Sequence, residues 1–370
     1  QVVGIRCLSI GQDAFHETVR TIKEWDSKCI VIAGGPYPTD DTDGCLNSGH
    51  LDCAVIGEGE ITFNEFIGRL FENKEWKDIQ GIAFRNNGSV IKTPPRLFID
   101  NIDALPIPDY SVIDLEQFSN QFLTFTSKIS KPHANIMTTR GCPYRCAYCH
   151  NILGKKFRVR SPENVLAEIR YIHDNFGITD FQIIDDIFNL DMDSAKRICD
   201  LIIQSKMKLT FSFPNAIRGD RMDKELTDKM REAGTKFMSI AVETGSPRLQ
   251  KLIKKNLDLD KVFDTIEYVA ELGIITRGFF MLGFPTETEE ELDQTIEYAK
   301  SSSLLGATFF TVVYFPGTEL YKLAQSLGYF QHGSYSVSRD YVNVGEGPYN
   351  YILETLTEKK KKSIKDFAFT

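Results

Sequence analysis

Residues 134–151 read ANIMTTRGCPYRCAYCHN. The stretch opens on a strand-like run, 134–138, and breaks at Gly141 into a loop that holds Cys142, Cys146 and Cys149. Five more strand-like runs follow, at 180–184, 209–213, 237–242, 274–281 and 307–313. Helix signals lie between them, beginning near Ser161, Asp193, Asp223, Pro247 and Thr288. Ser161-Pro162-Glu163 is a clear start, a capping hydroxyl followed by Pro in the first turn. Six strand–helix units over 133–330 predict an α/β fold, an open partial (βα)6 barrel. Barrels of this kind place chemistry at the carboxyl ends of their strands. The cysteine loop follows the first strand at that edge.

Upstream, the same alternation starts earlier. A buried-type strand at 2–9 is followed by helical spacing through Val19, Ile22 and Trp25. A second strand, 29–33, ends in Gly34-Gly35-Pro36, and a third, 53–56, ends in Gly57-Glu58-Gly59-Glu60. Phe63, Phe66, Ile67 and Leu70 then mark one helix face. This predicts a doubly wound, Rossmann-like unit with glycines at its carboxyl edge, where backbone can approach a ligand closely. Asn86-Asn87-Gly88 between two short apolar runs signals a hairpin. Pro94-Pro95 through Pro106 and Pro108 read as a linker. The expected domains are 1–75, a hairpin and linker at 76–132, the barrel at 133–330 and an extension at 331–370. The chain opens on a strand without a Met and closes on a helix-like run, so both end domains are expected to be truncated.

Composition is that of a globular protein, 42% hydrophobic and 25% charged over 370 residues. No apolar run approaches the roughly 18 residues of a membrane span. The first residues carry no basic, signal-like start, so a cytoplasmic location is expected. A net charge of −8 argues against a protein whose main task is gripping nucleic acid. Of eight cysteines, three fall within eight residues, which reads as metal binding. Cys7, Cys29, Cys45, Cys53 and Cys199 are scattered and read as small buried hydrophobes. His16, His50, His133, His173 and His332 read as structural, and Lys359 to Lys362 as a solvated helix face.

Three thiolates on one short loop can hold three irons of a 4Fe–4S cluster and leave the fourth open. Structural zinc wants four ligands, usually in two pairs, and His150 stands too close to Cys149 to complete a tetrahedron. Lys155, Lys156, Arg158 and Arg160 follow the loop, either as ion-paired residues or as contacts to a cofactor anion.

The C-x3-C-x2-C spacing with Tyr148 before the last cysteine resembles the radical S-adenosylmethionine superfamily. Later segments fit that resemblance in order. It implies that Asp185 and Asp186 meet the amino group of S-adenosylmethionine, in place of the more usual G-G-E. It implies that Glu243-Thr244-Gly245-Ser246 lies by the ribose and methionine moiety, and that the segment ending at Gly283, followed by Phe284-Pro285-Thr286-Glu287, lies by the adenine. Phe315-Pro316-Gly317-Thr318-Glu319-Leu320 matches the family's P-G-T-E-L. From residues alone, Asp185 or Asp186 could equally be a helix cap, and Glu243 a member of an ion pair. The glycine-rich N-terminal unit resembles the cobalamin-binding domain fused to many of these enzymes, which implies a corrinoid at Ser9, Gly34, Gly35, Gly57, Glu58 and Gly59. No cobalt-ligating D-x-H-x-x-G occurs in 1–75, and Arg6 stands where Ser is common.

The resemblance implies a cobalamin-dependent enzyme that forms a 5′-deoxyadenosyl radical and methylates an unactivated carbon. It implies a small-molecule or lipid-like substrate and a low-potential electron donor of flavodoxin or ferredoxin type. The alternatives are a cobalamin-linked cyclase or rearrangement enzyme, a methylthiotransferase with cluster ligands among Cys7, Cys29, Cys45 and Cys53, and a non-catalytic electron carrier.

Overall fold

The computed structural model describes residues 1–115, 117, 132–149 and 152–330. His150, His332, Lys359 to Lys362 and the expected extension at 331–370 lie outside the described residues. The chain divides into two compact units.

The first unit comprises Gln1–Ile99, Ala147–Gly154 and, among the described residues, 313–330. Strands β1 (Val2–Arg6), β2 (Ile30–Gly34) and β3 (Cys53–Val55) pair in parallel. β4 (Ile82–Asn86) runs antiparallel to β3 and continues into β5 (Ser89–Lys92). The hairpin therefore completes this sheet, and the unit runs past the expected boundary at 75. The reason is burial: Cys53, Ala54 and Val55 are all buried, and a bare edge there would expose their backbone groups. Asn87 (φ 49°) and Gly88 (φ 83°) both adopt the left-handed conformation that a two-residue hairpin turn needs. Helix α1 (Gln12–Trp25) buries Phe15 and Val19 in one core, and α4 (Glu60–Phe71) buries Phe66 in another. Two short helices that periodicity does not announce, α2 (Pro36–Asp40) and α3 (Thr42–Leu46), follow the Gly34-Gly35 turn.

The second unit comprises Asp100–Cys146 and Lys155–Val312. Its sheet holds six parallel strands in the order β13-β12-β11-β10-β9-β6. In chain order these are β6 (His133–Ile136), β9 (Asp180–Ile183), β10 (Thr210–Ile217), β11 (Thr235–Glu243), β12 (Ile275–Leu282) and β13 (Gly306–Thr311). This is the expected six-unit α/β sheet, open between β6 and β13. A two-stranded ribbon, β7 (Thr139–Arg140) with β8 (Arg158–Val159), brackets the cysteine loop in sequence.

Helices α5 (Pro162–Phe176), α6 (Met192–Ser205), α7 (Lys224–Glu232), α8 (Pro247–Leu252), α9 (Leu259–Glu271) and α10 (Glu289–Ser301) supply the crossovers. Ser161, Asp191, Asp223, Ser246, Asp258 and Thr288 cap them by accepting a backbone N–H. The fourth unit differs from expectation. Its helix splits into α8 and α9, because Lys254 (φ 55°) and Asn256 (φ 50°) turn the chain through the left-handed region. A further helix, α11 (Glu319–Ser326), follows in the first unit.

One glycine fixes the seating of a strand end on a helix. A Cβ on Gly245 would stand 2.6 Å from the Gln294 carbonyl oxygen and 3.0 Å from the Thr295 Cα, both backbone of α10. Backbone cannot yield as a side-chain tip does. Gly245→Ala is therefore expected to lower stability by about 1–3 kcal/mol, measured as a shift of the urea midpoint at unchanged m-value.

Candidate functional site

The cysteine loop is held at its base. Asp185, 3% exposed just after β9, accepts the Thr138 N–H at 2.6 Å on one oxygen, and its other oxygen accepts the Thr139 hydroxyl at 2.9 Å and the Thr138 hydroxyl. Burial pushes this carboxyl up to about 6, against the pull of those donors. Inside the loop, the Arg218 guanidinium lies 4.0 Å from the Tyr144 ring centroid, and Arg221 Nε donates to the Tyr144 hydroxyl at 3.0 Å. Lys155 donates to the Tyr144 carbonyl.

None of the three loop cysteines is in a disulfide; Cys142 and Cys146 are half-buried and Cys149 is exposed. Cys142 and Cys146 belong to the second unit, and Cys149 lies in the segment Ala147–Gly154 grouped with the first. Among the described residues, no three His, Cys, Asp or Glu side chains converge on one metal ion. A cubane cluster binds each thiolate at a different iron, so its ligands stand apart, whereas zinc gathers four donors on one centre. Three thiolates suit three irons of such a cluster and are one donor short of a structural zinc site.

The two acids that follow β9 separate into two environments. Asp185 faces inward and is taken up by Thr138 and Thr139. Asp186 is exposed, with the Gly141 N–H and the Lys155 ammonium acting on it. Lys156 pairs with Asp100 at 2.7 Å, and Arg160 with Glu168, so these two serve as ion-paired residues.

At the end of β11, Glu243 is buried and takes the Lys255 ammonium at 2.6 Å. Ser246 caps α8 and donates to Glu291 at 2.8 Å. Thr295 accepts the Gly245 N–H at 3.0 Å. Arg248 clasps Glu291 at 2.7 and 2.6 Å and also reaches the Thr286 carbonyl at 2.8 Å, which ties the β11 turn to the β12 turn. The Arg248 bonds hold the Glu291 carboxyl down at about 2. Gly283 (φ 96°) donates its N–H to Glu287, whose second oxygen is buried and finds no partner among the described residues. Burial pushes Glu287 up to about 7.

In the first unit, the β1, β2 and β3 ends form a second edge. The Ser9 hydroxyl is buried and finds no partner among the described residues. A Cβ on Gly34 would meet nothing within 4 Å, so backbone is open to a ligand there. Gly35 (φ 99°) would press a Cβ to 3.1 Å from the Cys7 carbonyl. Thr39 donates to the Gly35 carbonyl at 2.8 Å and accepts the Gly57 N–H at 3.1 Å, joining the two glycine turns. Glu58 accepts the Ile99 N–H at 2.8 Å, and Gly59 precedes α4.

Residues 136–299 match the model of the Radical SAM superfamily. An uncharacterized methyltransferase of Pyrococcus horikoshii is 30% identical over 327 residues, covering 87% of this chain and 69% of that protein. The chain belongs to the radical SAM superfamily. As such it is an enzyme that works with a 4Fe–4S cluster and S-adenosylmethionine. Two solved structures share its fold. The radical S-adenosylmethionine methyltransferase TsrM from Kitasatospora setae, with tryptophan substrate and a SAM analog bound, superposes at TM-score 0.75 with 17% identity. That match covers 95% of this chain and 71% of TsrM. The cobalamin-dependent radical enzyme OxsB, with aqua-cobalamin bound, gives TM-score 0.68 and 18% identity over 98% of this chain and 53% of OxsB.

Sequence reading missed several residues of this radical SAM chain's carboxyl edge. Arg248, Glu291, Thr295, Arg218 and Arg221 brace the motif residues without belonging to any motif. The one local signal was Thr288-x-x-Glu291, a capping box on α10. In the first unit Thr39 was missed, with no signal beyond its place four residues after Gly35.

The split of the acidic pair is testable. Asp185→Asn replaces an acceptor by a donor facing donors, so a loss of about 1–3 kcal/mol in stability is expected, with poorer iron retention. Asp186→Asn should leave the urea midpoint unchanged and weaken S-adenosylmethionine binding in equilibrium dialysis. Glu287 makes a pH test. Its carboxyl is raised in the folded state, so the folded protein holds its proton longer than the unfolded chain. Its contribution to stability therefore falls as pH rises between its ordinary value near 4.5 and about 7. Glu287→Gln should flatten the decline of the urea midpoint across that window.

Proposed function

We propose that this radical SAM enzyme is a cobalamin-dependent methyltransferase acting on an unactivated carbon of a small-molecule or lipid-like substrate. The observation that carries it is the pairing of folds in one chain. A sheet with three parallel strands, an open glycine edge and a buried Ser9 hydroxyl that finds no partner among the described residues precedes a six-stranded sheet whose first strand leads into three cysteines outside any disulfide. The relatedness to a methyltransferase supports the same reading.

Cys142, Cys146 and Cys149 would hold the cluster, and Tyr148 lies beside the last of them in sequence. Asp186 is the acid available to an ammonium group. Glu243 and Ser246 act through position rather than by free side chains, since Lys255, Glu291 and the α8 N-terminus already take their polar atoms. Gly283 would offer close backbone approach. Ser9, Gly34, Gly35, Gly57, Glu58 and Gly59 would border the corrinoid. When bound, these groups supply a carbon radical and a transferable methyl group. The protein's part is to bind, orient and exclude water. A low-potential flavodoxin- or ferredoxin-type donor in the cytoplasm is the matching electron source.

The methylthiotransferase alternative finds no support in the first unit. Cys7, Cys29, Cys45 and Cys53 are all buried, and burial pushes the Cys45 thiol up to about 12. Such thiols are the small core residues expected of them.

Anaerobic reconstitution should load about four irons per chain, and Cys146→Ala should lose most of them. With dithionite and hydroxocobalamin, methyl-labelled S-adenosylmethionine should yield 5′-deoxyadenosine and transfer label to the corrinoid. Gly34→Leu should abolish corrinoid uptake while leaving the iron content intact. Gly35 is unsuited to the test, since any side chain there strains the backbone (φ 99°). Iron and 5′-deoxyadenosine without any corrinoid uptake would reduce the reading to a plain radical enzyme.

A further inference from the structure

Along β12, side chains alternate between two faces of the six-stranded sheet. Thr276, Phe280 and Leu282 are buried, and Phe280 lies in a core with Val262 and Ile266 of α9 and Ala299 of α10. Arg277, Phe279 and Met281 point to the opposite face and are half-buried. Arg277 and Ser239 are register partners on β12 and β11.

Arg277 is poorly satisfied for a guanidinium in this setting. Its one hydrogen bond among the described residues runs from Nη2 to the Ser239 hydroxyl at 3.3 Å. Its Nε is shut from solvent and finds no acceptor among the described residues. No carboxylate among the described residues pairs with it. Asp180, on β9 of the same sheet, accepts the Thr210 hydroxyl at 2.7 Å, and Glu243 takes Lys255. Two aromatic rings flank the guanidinium, Phe237 at 5.3 Å and Phe279 at 4.8 Å from its carbon. Phe279 in turn meets Phe310 edge-on at 5.3 Å.

A half-buried cation without a counter-charge weakens a fold, so stability does not explain Arg277. Aromatic flanks fix the plane of a guanidinium and favour its charge, while its outer edge stays free for a two-pronged contact to an oxyanion. The wall beside it, Phe279, Phe310 and Met281, is apolar. From Arg277 to Met281 the strand rises about 13 Å toward the carboxyl edge.

We infer that Arg277 is a substrate-binding residue that receives an oxyanion, carboxylate or phosphonate, carried on an apolar body that lies against Phe279 and Met281. The assignment of that body as substrate rests on the proposed enzymatic reading, whereas the anion site itself does not.

The test uses the full chain, anaerobically reconstituted, and three probes: 3-phenylpropionate, phenylphosphonate and the neutral 3-phenylpropionamide. Calorimetry should show saturable binding of at least one anion and none, or far weaker binding, of the amide. Arg277→Met should weaken the anion about tenfold or more, and Arg277→Lys should lose part of it, because an ammonium keeps the charge without the fork. S-adenosylmethionine affinity and 5′-deoxyadenosine formation should be unchanged in both variants. Should Arg277→Met not fold, Arg277→Lys carries the comparison alone. Equal binding of amide and anion, no anion binding by the wild type, or undiminished anion binding by a folded variant would overturn the assignment. So would a loss of S-adenosylmethionine affinity, which would give Arg277 to the cofactor's carboxylate. Absence of iron or of cofactor cleavage in the wild type would instead count against the enzymatic reading, whatever the anion does.

Discussion

A single buried carboxylate sets the geometry on which the cysteine loop depends. Asp185 follows β9 and takes donors from Thr138 and Thr139, at the end of the neighbouring β6. It fixes the point from which the chain departs toward Cys142. Three thiols proposed to meet three different irons would tolerate little drift in their common base. Tyr144, held between Arg218 and Arg221, provides the second fixed point. The loop is thus pinned at its root and in its middle by residues of the strand ends.

The other turns of the carboxyl edge follow the same logic. The motif residues of β11 and β12 find partners nearby: Glu243 takes Lys255, Ser246 meets Glu291 and Gly283 meets Glu287. Arg248 then joins the two turns. A ligand arriving there meets a rigid contour made largely of backbone and of side chains with spoken-for polar atoms. Glycines matter in such a contour for shape, and Gly245 shows it most directly, since α10 backbone fills the space a side chain would need.

Much of this was legible in the amino-acid pattern. Strand runs, capping residues and the cysteine spacing are local signals, and each of the six sheet strands overlaps its expected run. The hairpin turn at Asn87-Gly88 was equally local. Its membership of the first sheet was not, because pairing between β3 and β4 is set by the need to cover a buried strand edge. The division of labour between Asp185 and Asp186 was also invisible. Adjacent residues at a strand end point to opposite sides, and only the position of Thr138 and Thr139 decides which side is interior. Lys255, Arg248 and Thr295 were missed because a partner many positions away leaves no periodic trace. The break between α8 and α9 at Lys254 and Asn256 went unseen for a different reason: neither residue is a glycine.

Three non-glycine residues with left-handed backbone sit at the ends of three consecutive strands: Ala216 in β10, Glu243 closing β11 and Thr286 just after β12. Such conformations cost on the order of 1–3 kcal/mol each and persist where surrounding structure imposes them. The edge that carries the motifs is therefore under backbone tension. A search for a hardier variant would find glycine at Ala216 or Thr286 attractive. The same exchange would slacken the turns that aim Glu243 and Gly283. Thermal robustness and working geometry are in this protein opposed at identifiable positions, and improvements sought for handling are better placed on the helices.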